Sequence, residues 1–522
     1  MIPVKTDILV IGGGLAGRRC AEEASKKCKV ILISDGSGAS PYVHGINVPL
    51  FAEDTVECFI EDTMRSGRYQ NKKELVKVLC EESIRLTEEF SFDKKNGEYV
   101  LLQPLGAAYP RVAGIQGRTG VHVLNSINRD PKFTELHHVR AMRLICEKAK
   151  DAANKTDRSD AGRVTGAYCF DTVKKEWFLI EAKAVVLACG GFGGIFPFST
   201  NSPDIGGEGI AMAYEAGARL LDMEFIQYEP SVAVWPPKLK GKSVITTMLY
   251  EGAVIRNGNG ERFMDERVDK DVLSKIIYQE INSGKGTKNG GVYYDMTGVG
   301  AEMLHEKYED YYRRYASVGI DISKEPVEIA PGPHTTMGGI EIDEKCCTNV
   351  QGLFACGEVT GGLHGANRLG GNAGLEILVF GKIAGKSAAE YAAAVKEVEW
   401  ERCPTDEMNF DRTAFDDTSY RKLLEDALVK GLNVVRNESD MKSALAVMEQ
   451  IMLATHDRKG CFTARRLYCD ALTAYLALTA ATTRKQSIGS HVRADESKEN
   501  RRYRIILQNK NNHLQIEREY LE

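Results

Sequence analysis

A glycine-rich turn near the start of the chain constrains the fold more than any other feature. Residues 7–11 (DILVI) read as a short apolar strand that runs directly into residues 12–17 (GGGLAG), a helical run and a second apolar strand, VILIS. Strand, turn, helix and strand within about thirty residues form the βαβ unit that binds a dinucleotide pyrophosphate. Gly12 would permit the turn, Gly14 would let the backbone approach the pyrophosphate, and Gly17 would let helix and strand pack.

A second glycine-rich segment, residues 334–381, holds a concentration of polar side chains. A histidine in the turn HTTMGG precedes a short apolar strand, LFA, and a loop of closely spaced glycines follows. The polar residues of the segment are His334, Glu358, His364, Asn367, Arg368 and Asn372. The loop runs directly into the apolar helical pattern AGLEILVFG, and a glycine loop that feeds a helix N-terminus is an anion-binding geometry. The segment therefore predicts backbone wrapped closely around a bound ligand.

Composition excludes several functional classes. The 522 residues carry a net charge of −5, so nothing points to nucleic acid or to an anionic membrane surface. No run approaches the ~18 apolar residues of a membrane span, and an apolar strand that starts at residue 7 leaves no room for a signal peptide. The 13 cysteines are scattered, with no CxxC pair, so neither a metal site nor a chain-borne iron–sulfur cluster is predicted. We expect a cytoplasmic protein.

The pattern along the chain predicts three parts. The glycine-rich signals occupy residues 1–222 and resume at residue 334, whereas residues 223–325 are mixed α+β and read as an insertion. Residues 415–482 are almost purely helical, and the tail RYRIILQNKNNHLQIE reads as two short strands. We predict an α/β fold with a Rossmann-like nucleotide-binding domain (1–222 and 326–395), an α+β capping domain that interrupts it (223–325), and a C-terminal helical domain with short terminal strands (405–522).

Several blocks together resemble a known superfamily. They are DILVIGGGLAG, GRTG, AVVLACGGFGG, LDMEFIQ, GERFMDE, HTTMGGI, GLFACGEVTGGLHGANRLGGNAGLEILVFG and SIGSHVRAD, in this order along nearly the whole chain. They resemble the flavoprotein subunits of succinate dehydrogenase and fumarate reductase, and L-aspartate oxidase of the same superfamily. The family fold is an FAD-binding domain interrupted by a capping domain and followed by a helical domain, in agreement with the segmentation.

The resemblance implies FAD as the cofactor. The residues expected around it are Gly12, Gly14, Leu15, Ala16, Gly17, Ser34, Gly45, Ala188, Gly190, Asp222, Glu358, Asn372 and Leu375. Some family members carry FAD covalently on a histidine that precedes a GGIN motif. The aligned position here is Gly38, and His44 falls where a glycine is usual, so the resemblance predicts non-covalent FAD. Attachment at His44 is an alternative to a simple pocket or packing role for that residue.

The substrate site keeps two family residues and changes two others. In the family, a substrate carboxylate is held by the histidine of HYTMGG, the arginine of GANRLG and a histidine from QFHPT. These first two correspond to His334 and Arg368, and an imidazole with a bidentate guanidinium can clamp one carboxylate. Glu229 stands where the QFHPT histidine should be. Lys270 stands where a cap arginine of the family delivers a proton.

The two changed residues, Glu229 and Lys270, suggest altered chemistry. A buried lysine can donate a proton, and burial would lower its pKa toward neutrality, so Lys270 is the preferred acid and Arg267 the alternative. Lys270 could instead be a solvated lysine at a helix start. Glu229 could cap a turn, or it could repel a carboxylate and welcome a cation. We also hypothesise that Glu229 and Lys270 pair with each other.

The sequence thus predicts an FAD-dependent oxidoreductase that transfers hydride between flavin N5 and a carbon activated by a carboxylate or carbonyl. The reaction would be C=C reduction or CH–CH dehydrogenation on a substrate other than plain fumarate. The alternatives are amino-acid oxidation like that of L-aspartate oxidase, and a non-catalytic FAD-binding or electron-transfer subunit. The expected partners are a small molecule with a carboxylate or carbonyl and a ferredoxin or iron–sulfur electron-transfer protein. Neither nucleic acid nor a transmembrane segment is expected.

Overall fold

The fold is that of a computed structural model, which describes residues 4–115, 118–148, 162–395, 401–402, 415–458, 460–497 and 501–521. Its central sheet confirms the predicted α/β class. The described strands of this sheet are Val4–Ile11, Val30–Ser34, Thr134–His137, Val139–Lys148, Arg163–Asp171, Glu176–Leu187, Leu353–Ala355 and Glu401–Arg402. The predicted start of the C-terminal domain, residue 405, lies outside the described residues.

The parallel half of this sheet carries the first βαβ unit. Val4–Ile11 pairs in parallel with Val30–Ser34 on one side and with Glu176–Leu187 on the other. Thr134–His137 and Leu353–Ala355 extend the parallel order outward. The central strands contain continuous apolar runs, residues 8–11 and 30–33, because chain segments cover both of their faces, and residues 8–10 are completely buried.

Two helices pack closely on one face of the sheet. They are Leu15–Ala24 and Asn372–Ala394, and small residues let their backbones approach. A Cβ added to Gly381 would lie 2.7 Å from the carbonyl oxygen of Ala16, and one on Gly385 would lie 2.4 Å from that of Cys20. Glycine is therefore required in the long helix at this crossing.

The inserted segment forms a second sheet with its own core. Its antiparallel order is Ile226–Trp235, Val327–Thr336, Val292–Asp295 and Val254–Arg256. The buried side chains beneath it include Leu273, Tyr294 and Ile329. The strand Val327–Thr336 belongs to this sheet, so the sheet extends beyond the boundary predicted at residue 325.

The remaining helices and short strands surround these sheets. The helices are Val56–Ser66, Lys73–Ser83, Leu86–Glu89, Thr119–Asn128, Glu208–Glu215, Lys270–Glu280, Ala301–Lys307, Glu309–Ala316, Thr418–Gly431, Glu438–Thr455 and Phe462–Thr483. The short strands are Gly45–Asn47, Lys94–Lys95, Glu98–Tyr99, Leu101–Leu102, Val112–Gly114, Leu220–Leu221, Gly339–Glu341, Thr360–Gly361, Val435–Arg436 and Val492–Arg493. No helix in the described part of the chain has both the length and the apolar character needed to cross a bilayer.

The C-terminal tail forms the predicted pair of strands. Tyr503–Lys510 and His513–Tyr520 make an antiparallel hairpin. Tyr503–Lys510 also pairs with Leu220–Leu221, so the hairpin extends a sheet that includes Gly339–Glu341 rather than packing as part of a separate helical unit. The chain therefore returns to its nucleotide-binding half at its end.

Candidate active site

The glycine turn lies at the edge of the sheet where parallel strands end. The backbone N–H of Gly12 donates to the carbonyl of Ile33 (3.0 Å), and that of Ala188 donates to the carbonyl of Ile11 (2.8 Å). These hydrogen bonds tie the ends of three neighbouring strands together. In open α/β sheets a ligand binds in the crevice outside these carboxyl ends.

Close backbone contacts explain the glycines of the turn. Gly12 has φ +123°, and a Cβ there would lie 2.2 Å from the carbonyl oxygen of Ala188. A Cβ on Gly17 would lie 2.0 Å from the carbonyl oxygen of Gly12. Gly14 is the N-cap of helix Leu15–Ala24, whose first turn has no acidic residue. The positive end of this helix therefore faces the crevice without an opposing carboxylate on its own first turn.

Gly14→Val tests the predicted pyrophosphate contact separately from folding. Gly14 has φ −72° and ψ 178°, which any residue can adopt, so the variant should fold. We expect FAD retention to fall at least about tenfold because the side chain would block close approach of a phosphate to the backbone. The measurement is flavin absorbance per polypeptide after gel filtration.

Gly286→Val is the matched control for Gly14→Val. Gly286 has nearly the same backbone, φ −71° and ψ 168°, but it lies in the inserted segment outside the cavity wall. It should keep its full flavin content. Equal FAD retention in both variants would contradict the assigned role of Gly14.

A cavity of roughly 510 Å³ runs from this turn to the inserted sheet. Its volume is in the range of small-molecule and cofactor sites. The residues predicted from the sequence that line it are Gly12, Gly14, Leu15, Ala16, Ser34, Gly45, Ala188, Gly190, Glu229, Lys270, His334, Glu358 and Arg368. Segments far apart in the chain thus meet around one space, with the glycine turn toward one end and the four candidate catalytic side chains toward the other.

Two lining residues are held by neighbours. The hydroxyl of Ser34 donates to Glu135 Oε1 (2.8 Å), so its lone pairs remain as acceptors for a ligand. Glu358 Oε1 accepts from the backbone N–H of Thr336 (3.0 Å), and burial raises the pKa of its carboxyl to about 7. Glu358 is therefore poised between its neutral and ionised forms near neutral pH.

Three other predicted cofactor residues lie behind the cavity wall. Gly17 packs the helix against the turn, as described above. Asn372 is completely buried and accepts from Asn47 Nδ2 (2.6 Å) while donating to Thr63 Oγ1 (3.2 Å). Leu375 is also completely buried in the main core. These residues shape the wall, and their side chains do not line the cavity.

Asp222 lies outside the residues that line the cavity, and its predicted place beside the cofactor stays a prediction. Its carboxylate does not line the cavity; Oδ1 accepts from the backbone N–H of Ile505 (2.8 Å) and from Arg484 Nη2 (3.2 Å). Burial and the neighbouring Glu224 raise the pKa of the Asp222 carboxyl. Asp222 therefore anchors the C-terminal hairpin and the helix end at Arg484 through Oδ1, while its buried Oδ2 has no hydrogen-bond partner among the described residues.

The glycine cradle and the donors around it fit a dinucleotide. At Gly12 the left-handed backbone leaves no space for a side chain, and the positive end of helix Leu15–Ala24, where the Leu15 N–H donates to Ser40 Oγ (2.8 Å), faces the space for a pyrophosphate. The family histidine for covalent attachment has no counterpart, because Gly38 lines the cavity at the aligned position. His44 Nε2 lies 2.8 Å from the hydroxyl of Tyr311, so it contacts the inserted segment.

Four polar side chains form the far end of the cavity. Glu229 and His334 come from the paired strands Ile226–Trp235 and Val327–Thr336, Lys270 is the first residue of its helix, and Arg368 lies in the glycine loop. Lys270 Nζ donates to Glu229 Oε2, which is the ion pair hypothesised from the sequence. The same carboxylate oxygen lies 3.8 Å from His334 Nε2. Glu229 is therefore shared between a cation and an imidazole.

Burial sets the charge state of this cluster. It lowers the pKa of Lys270, although the Glu229 carboxylate raises it in part. Burial also holds the pKa of His334 well below its usual value, with further lowering by Lys270 and Arg368, so the imidazole is neutral at physiological pH. A neutral imidazole can donate one hydrogen bond to a ligand without adding charge.

Arg368 has unused donors inside the protein. It is 4% exposed, and its Nη1 donates to the carbonyl of Leu369 (3.3 Å). Its buried Nε has no hydrogen-bond partner among the described residues. Burial lowers the pKa of Arg368, but a guanidinium stays charged at physiological pH. A buried charged group with a free donor is costly unless an anion binds to it.

The structure separates the two candidates for the proton donor. Lys270 lines the cavity, whereas Arg267 is exposed, outside the cavity wall, and lies over the ring of Tyr250 (5.7 Å). His491 also lies outside the cavity, where Nδ1 accepts from Arg436 Nη1 (2.9 Å). The candidate site therefore contains Lys270 and not these neighbours.

The sequence motifs did not point to several contacts of the site. Thr200 Oγ1 lies 2.7 Å from His334 Nδ1 and fixes the ring. Ser231 donates to Glu229 Oε1 (3.0 Å) from the same face of the strand, two residues on, which strand alternation could have predicted. Arg314 also lines the cavity and donates to the carbonyl of Ser243 (2.9 Å), and no motif pointed to it.

Comparisons with known proteins agree with the geometry. Residues 7–373 match the model of the FAD binding domain family. One subunit of the CoM/CoB fumarate reductase of Methanothermobacter marburgensis is 34% identical over 524 residues, which cover 94% of each protein. The L-aspartate oxidase of Vibrio cholerae is 31% identical over 400 residues, covering 72% of this chain and 73% of that enzyme.

A solved structure has the same overall fold. The FrdA protein of quinol fumarate reductase from E. coli superposes with a TM-score of 0.86 at 25% identity, covering 99% of this chain and 97% of that protein. The likeness extends over nearly the full length of both chains, so it includes the inserted segment and the C-terminal helices.

Proposed function

This chain belongs to the family of FAD-binding oxidoreductases that includes fumarate reductase and succinate dehydrogenase flavoproteins and L-aspartate oxidases, and we propose that it catalyses hydride transfer to or from a substrate carbon beside a carboxylate or carbonyl. The observation that carries this proposal is Arg368, whose buried Nε has no partner in the described part of the chain and which shares one cavity with His334 and with the Lys270–Glu229 pair. The proposed anion-binding residue, Arg368, and the proposed proton donor, Lys270, thus line the same cavity as the glycine turn.

The protein's own residues have distinct roles in this proposal. Non-covalently bound FAD supplies hydride exchange at N5. Arg368 and neutral His334 bind the carboxylate or carbonyl and stabilise the negative charge that develops on it. Lys270 holds the proton for the neighbouring carbon, and Glu229 keeps the Lys270 ammonium charged despite its burial. In the reductive direction an activated C=C bond becomes saturated.

The substrate is proposed to differ from plain fumarate. In the family resemblance a histidine at the position of Glu229 helps to hold a substrate carboxylate, whereas Glu229 is already bound to Lys270 and Ser231. An ion pair at this corner offers no free cation to a carboxylate. Arg314 lines another part of the cavity and has no carboxylate partner in the described part of the chain, so acidic groups of longer substrates have a counter-ion there.

Amino-acid oxidation is the second candidate, favoured by the L-aspartate oxidase relatives. It would require Glu229 to hold a substrate ammonium. That carboxylate is already bound to Lys270, so the geometry favours CH–CH chemistry. A non-catalytic FAD-binding or electron-transfer subunit is the third candidate. The four polar side chains gathered in one cavity argue against it.

We also propose that electrons come from a separate ferredoxin or iron–sulfur protein. The 34% identical relative from Methanothermobacter marburgensis is named as a subunit, which implies a partner for that protein. No group of metal-binding side chains was found among the residues that the structure describes, and the sequence has no CxxC pair. Co-purification of the untagged chain with an iron–sulfur protein would support this part of the proposal.

The proposed function is tested by anaerobic reoxidation of the protein's flavin. The protein is reduced with dithionite, and its visible spectrum is followed after addition of fumarate, monocarboxylic enoates, longer dicarboxylic enoates and aryl acrylates. Fast reoxidation by an enoate other than fumarate supports the proposal. Fast reoxidation by fumarate alone contradicts the proposal that the substrate differs from plain fumarate. Flavin reduction by L-aspartate, with no response to any enoate, supports amino-acid oxidation instead.

The pair of Glu229 and Lys270 gives a pH prediction. Lys270 must be protonated to act as the acid, so kcat should fall as pH rises through its folded pKa, which burial lowers and Glu229 partly restores. Glu229→Gln removes the carboxylate, lowers the pKa of Lys270 further, and should move the basic limb of the kcat profile to lower pH. The measurement is the pH dependence of enoate reduction by the enzyme.

Glu251→Gln is the control for this pH prediction. Glu251 also pairs with a lysine, Lys307 (2.9 Å), but outside the cavity wall. Its profile should match that of the unmodified protein. A basic limb that stays in place in Glu229→Gln, or moves to higher pH, would rule out Lys270 as the titrating acid.

A further inference from the structure

A short connector, residues 67–72, lies between helices Val56–Ser66 and Lys73–Ser83 and contacts the loop that carries Arg368. The carbonyl of Gly67 accepts from the backbone N–H of Ala366 (2.9 Å). Asn71 Nδ2 donates to the carbonyl of Leu363 (2.8 Å). This connector is therefore fixed to residues 362–368, the loop that ends at the proposed anion anchor.

Arg68 of the connector reaches to the other side of the cavity. Its Nε and Nη2 donate to Asp271 (3.0 and 2.6 Å), and its Nη1 lies 2.9 Å from Asp269 Oδ2. These two aspartates flank Lys270 at the start of its helix. Side-chain exposure is 27% for Arg68 and 5% for Asp271, so the fork-shaped contact is mostly shielded from water.

The backbone of the connector is strained at the same place. Arg68 has φ +58° and the next residue, Tyr69, has φ +54°, although neither is glycine. Side chains disfavour this left-handed region, and such conformations persist where surrounding contacts over-determine them. Arg504 of the C-terminal hairpin holds the segment by donating to the carbonyls of Gln70 (3.1 Å) and Asn71 (2.7 Å). The strain points to a requirement beyond connecting two helices.

We propose that Arg68 is a positioning residue that sets the place of Lys270 relative to Arg368. This positioning role rests on the proposed function, in which Arg368 binds the substrate carboxylate and Lys270 supplies the proton. Lys270 begins a helix of the inserted segment and Arg368 lies in the glycine loop, so the two groups belong to segments about a hundred residues apart in sequence. The connector joins them, because hydrogen bonds fix it to the loop of Arg368 and Arg68 binds both carboxylates beside Lys270.

The geometry predicts an effect on proton transfer rather than on binding. Arg68 lies outside the cavity wall, so its loss leaves Arg368 and His334 in place to bind a carboxylate. The start of helix Lys270–Glu280 would lose its tether, and displacement of a catalytic group by about 1 Å can cost ~100-fold in rate. Loss of Arg68 should therefore lower kcat without a matching change in KM.

The test uses the full-length FAD-loaded protein and an enoate found by the reoxidation panel. We expect Arg68→Ala to lower kcat by ~10- to 100-fold, with KM and the affinity for a saturated, unreactive carboxylate changed less than about threefold. Arg68→Lys should recover part of the rate, and hydrogen exchange should quicken at the amides of residues 270–280. Arg85→Ala, which removes an exposed pair with Glu82 (2.5 Å) within one segment, is the matched control and should change none of these.

A double-mutant cycle separates this role from general destabilisation. Asp271→Asn should lower kcat as well, and Arg68→Ala combined with Asp271→Asn should be no worse than Arg68→Ala alone, because Arg68→Ala already removes the contact with Asp271. Additive losses, or a kcat of Arg68→Ala within twofold of the unmodified protein, would overturn the proposal.

Lys270→Met in the same assay distinguishes failure of the positioning role of Arg68 from failure of the proposed function. If Lys270→Met is inactive and Arg68→Ala is unimpaired, Arg68 has no positioning role and the proposed function stands. If Lys270→Met is fully active, the proton-donor role of Lys270 in the proposed function fails.

Discussion

Arg368→Ala is expected to lower kcat/KM by about 30- to 4,000-fold while the protein keeps its FAD. Truncating one partner of a buried, hydrogen-bonded charge pair costs ~2–5 kcal/mol, which corresponds to that range. Arg368 is 4% exposed, and its Nε has no partner among the described residues. A bound carboxylate would accept a hydrogen bond from Nε and pair with the guanidinium charge. The measurement is steady-state enoate reduction, together with flavin content and melting temperature.

Arg368→Ala should both lower kcat and raise KM, because Arg368 contacts the substrate before and during the reaction. Arg368→Lys should recover only part of it, since a lysine keeps the charge without the planar fork. Arg256→Ala is the control: Arg256 forms an ion pair with Asp295 (3.0 Å) in the inserted sheet, outside the cavity wall. A kcat/KM of Arg368→Ala within threefold of the unmodified protein would contradict the proposal that Arg368 binds the substrate carboxylate.

Lys270→Met is expected to lower kcat by ~10²–10⁴-fold, the usual contribution of a positioned general acid. Methionine keeps the length and much of the volume of the side chain but carries no proton. Carboxylate binding should persist, because Arg368 and His334 are unchanged. The reduced variant should therefore bind the enoate, which is detected as a perturbation of the flavin spectrum. Its flavin should then reoxidise slowly. Stopped-flow spectroscopy measures the two phases separately.

Lys275→Met is the matched control, because Lys275 lies on the same helix but does not line the cavity. It should retain the full rate. A rate for Lys270→Met above about a tenth of the unmodified rate would mean that water or another group supplies the proton. Loss of flavin in Lys270→Met alone would instead indicate a structural role for its pair with Glu229.

Much of the nucleotide-binding half could be predicted because its signals are local. An apolar strand followed by GGGLAG and a helix has few other packing solutions, and a Cβ on Gly17 would meet the carbonyl of Gly12 in the same turn. The pairing of Glu229 with Lys270 could also be hypothesised, because two opposite charges replace two family residues together.

Other features depend on contacts between distant segments. Asp222 does not line the cavity because Arg484, 262 residues later, binds its carboxylate. The tail strands join a sheet of the nucleotide-binding half because Leu220–Leu221 offers an edge there. Val327–Thr336, which follows the boundary predicted at residue 325, joins the inserted sheet through strand pairing, which composition does not encode.

The sequence by itself determined the α/β class, the glycine turn with its cofactor, and the residue types that can bind an anion and move a proton. These follow from short-range chemistry: backbone freedom at glycine, strand and helix periodicity, and the charge of each side chain. Only the tertiary structure decided which of those side chains share the cavity, that the Arg368 Nε lacks a partner among the described residues, and that Arg68 joins the two sides of the site. Such facts depend on burial and on contacts between segments hundreds of residues apart, for which a single sequence carries no local signal.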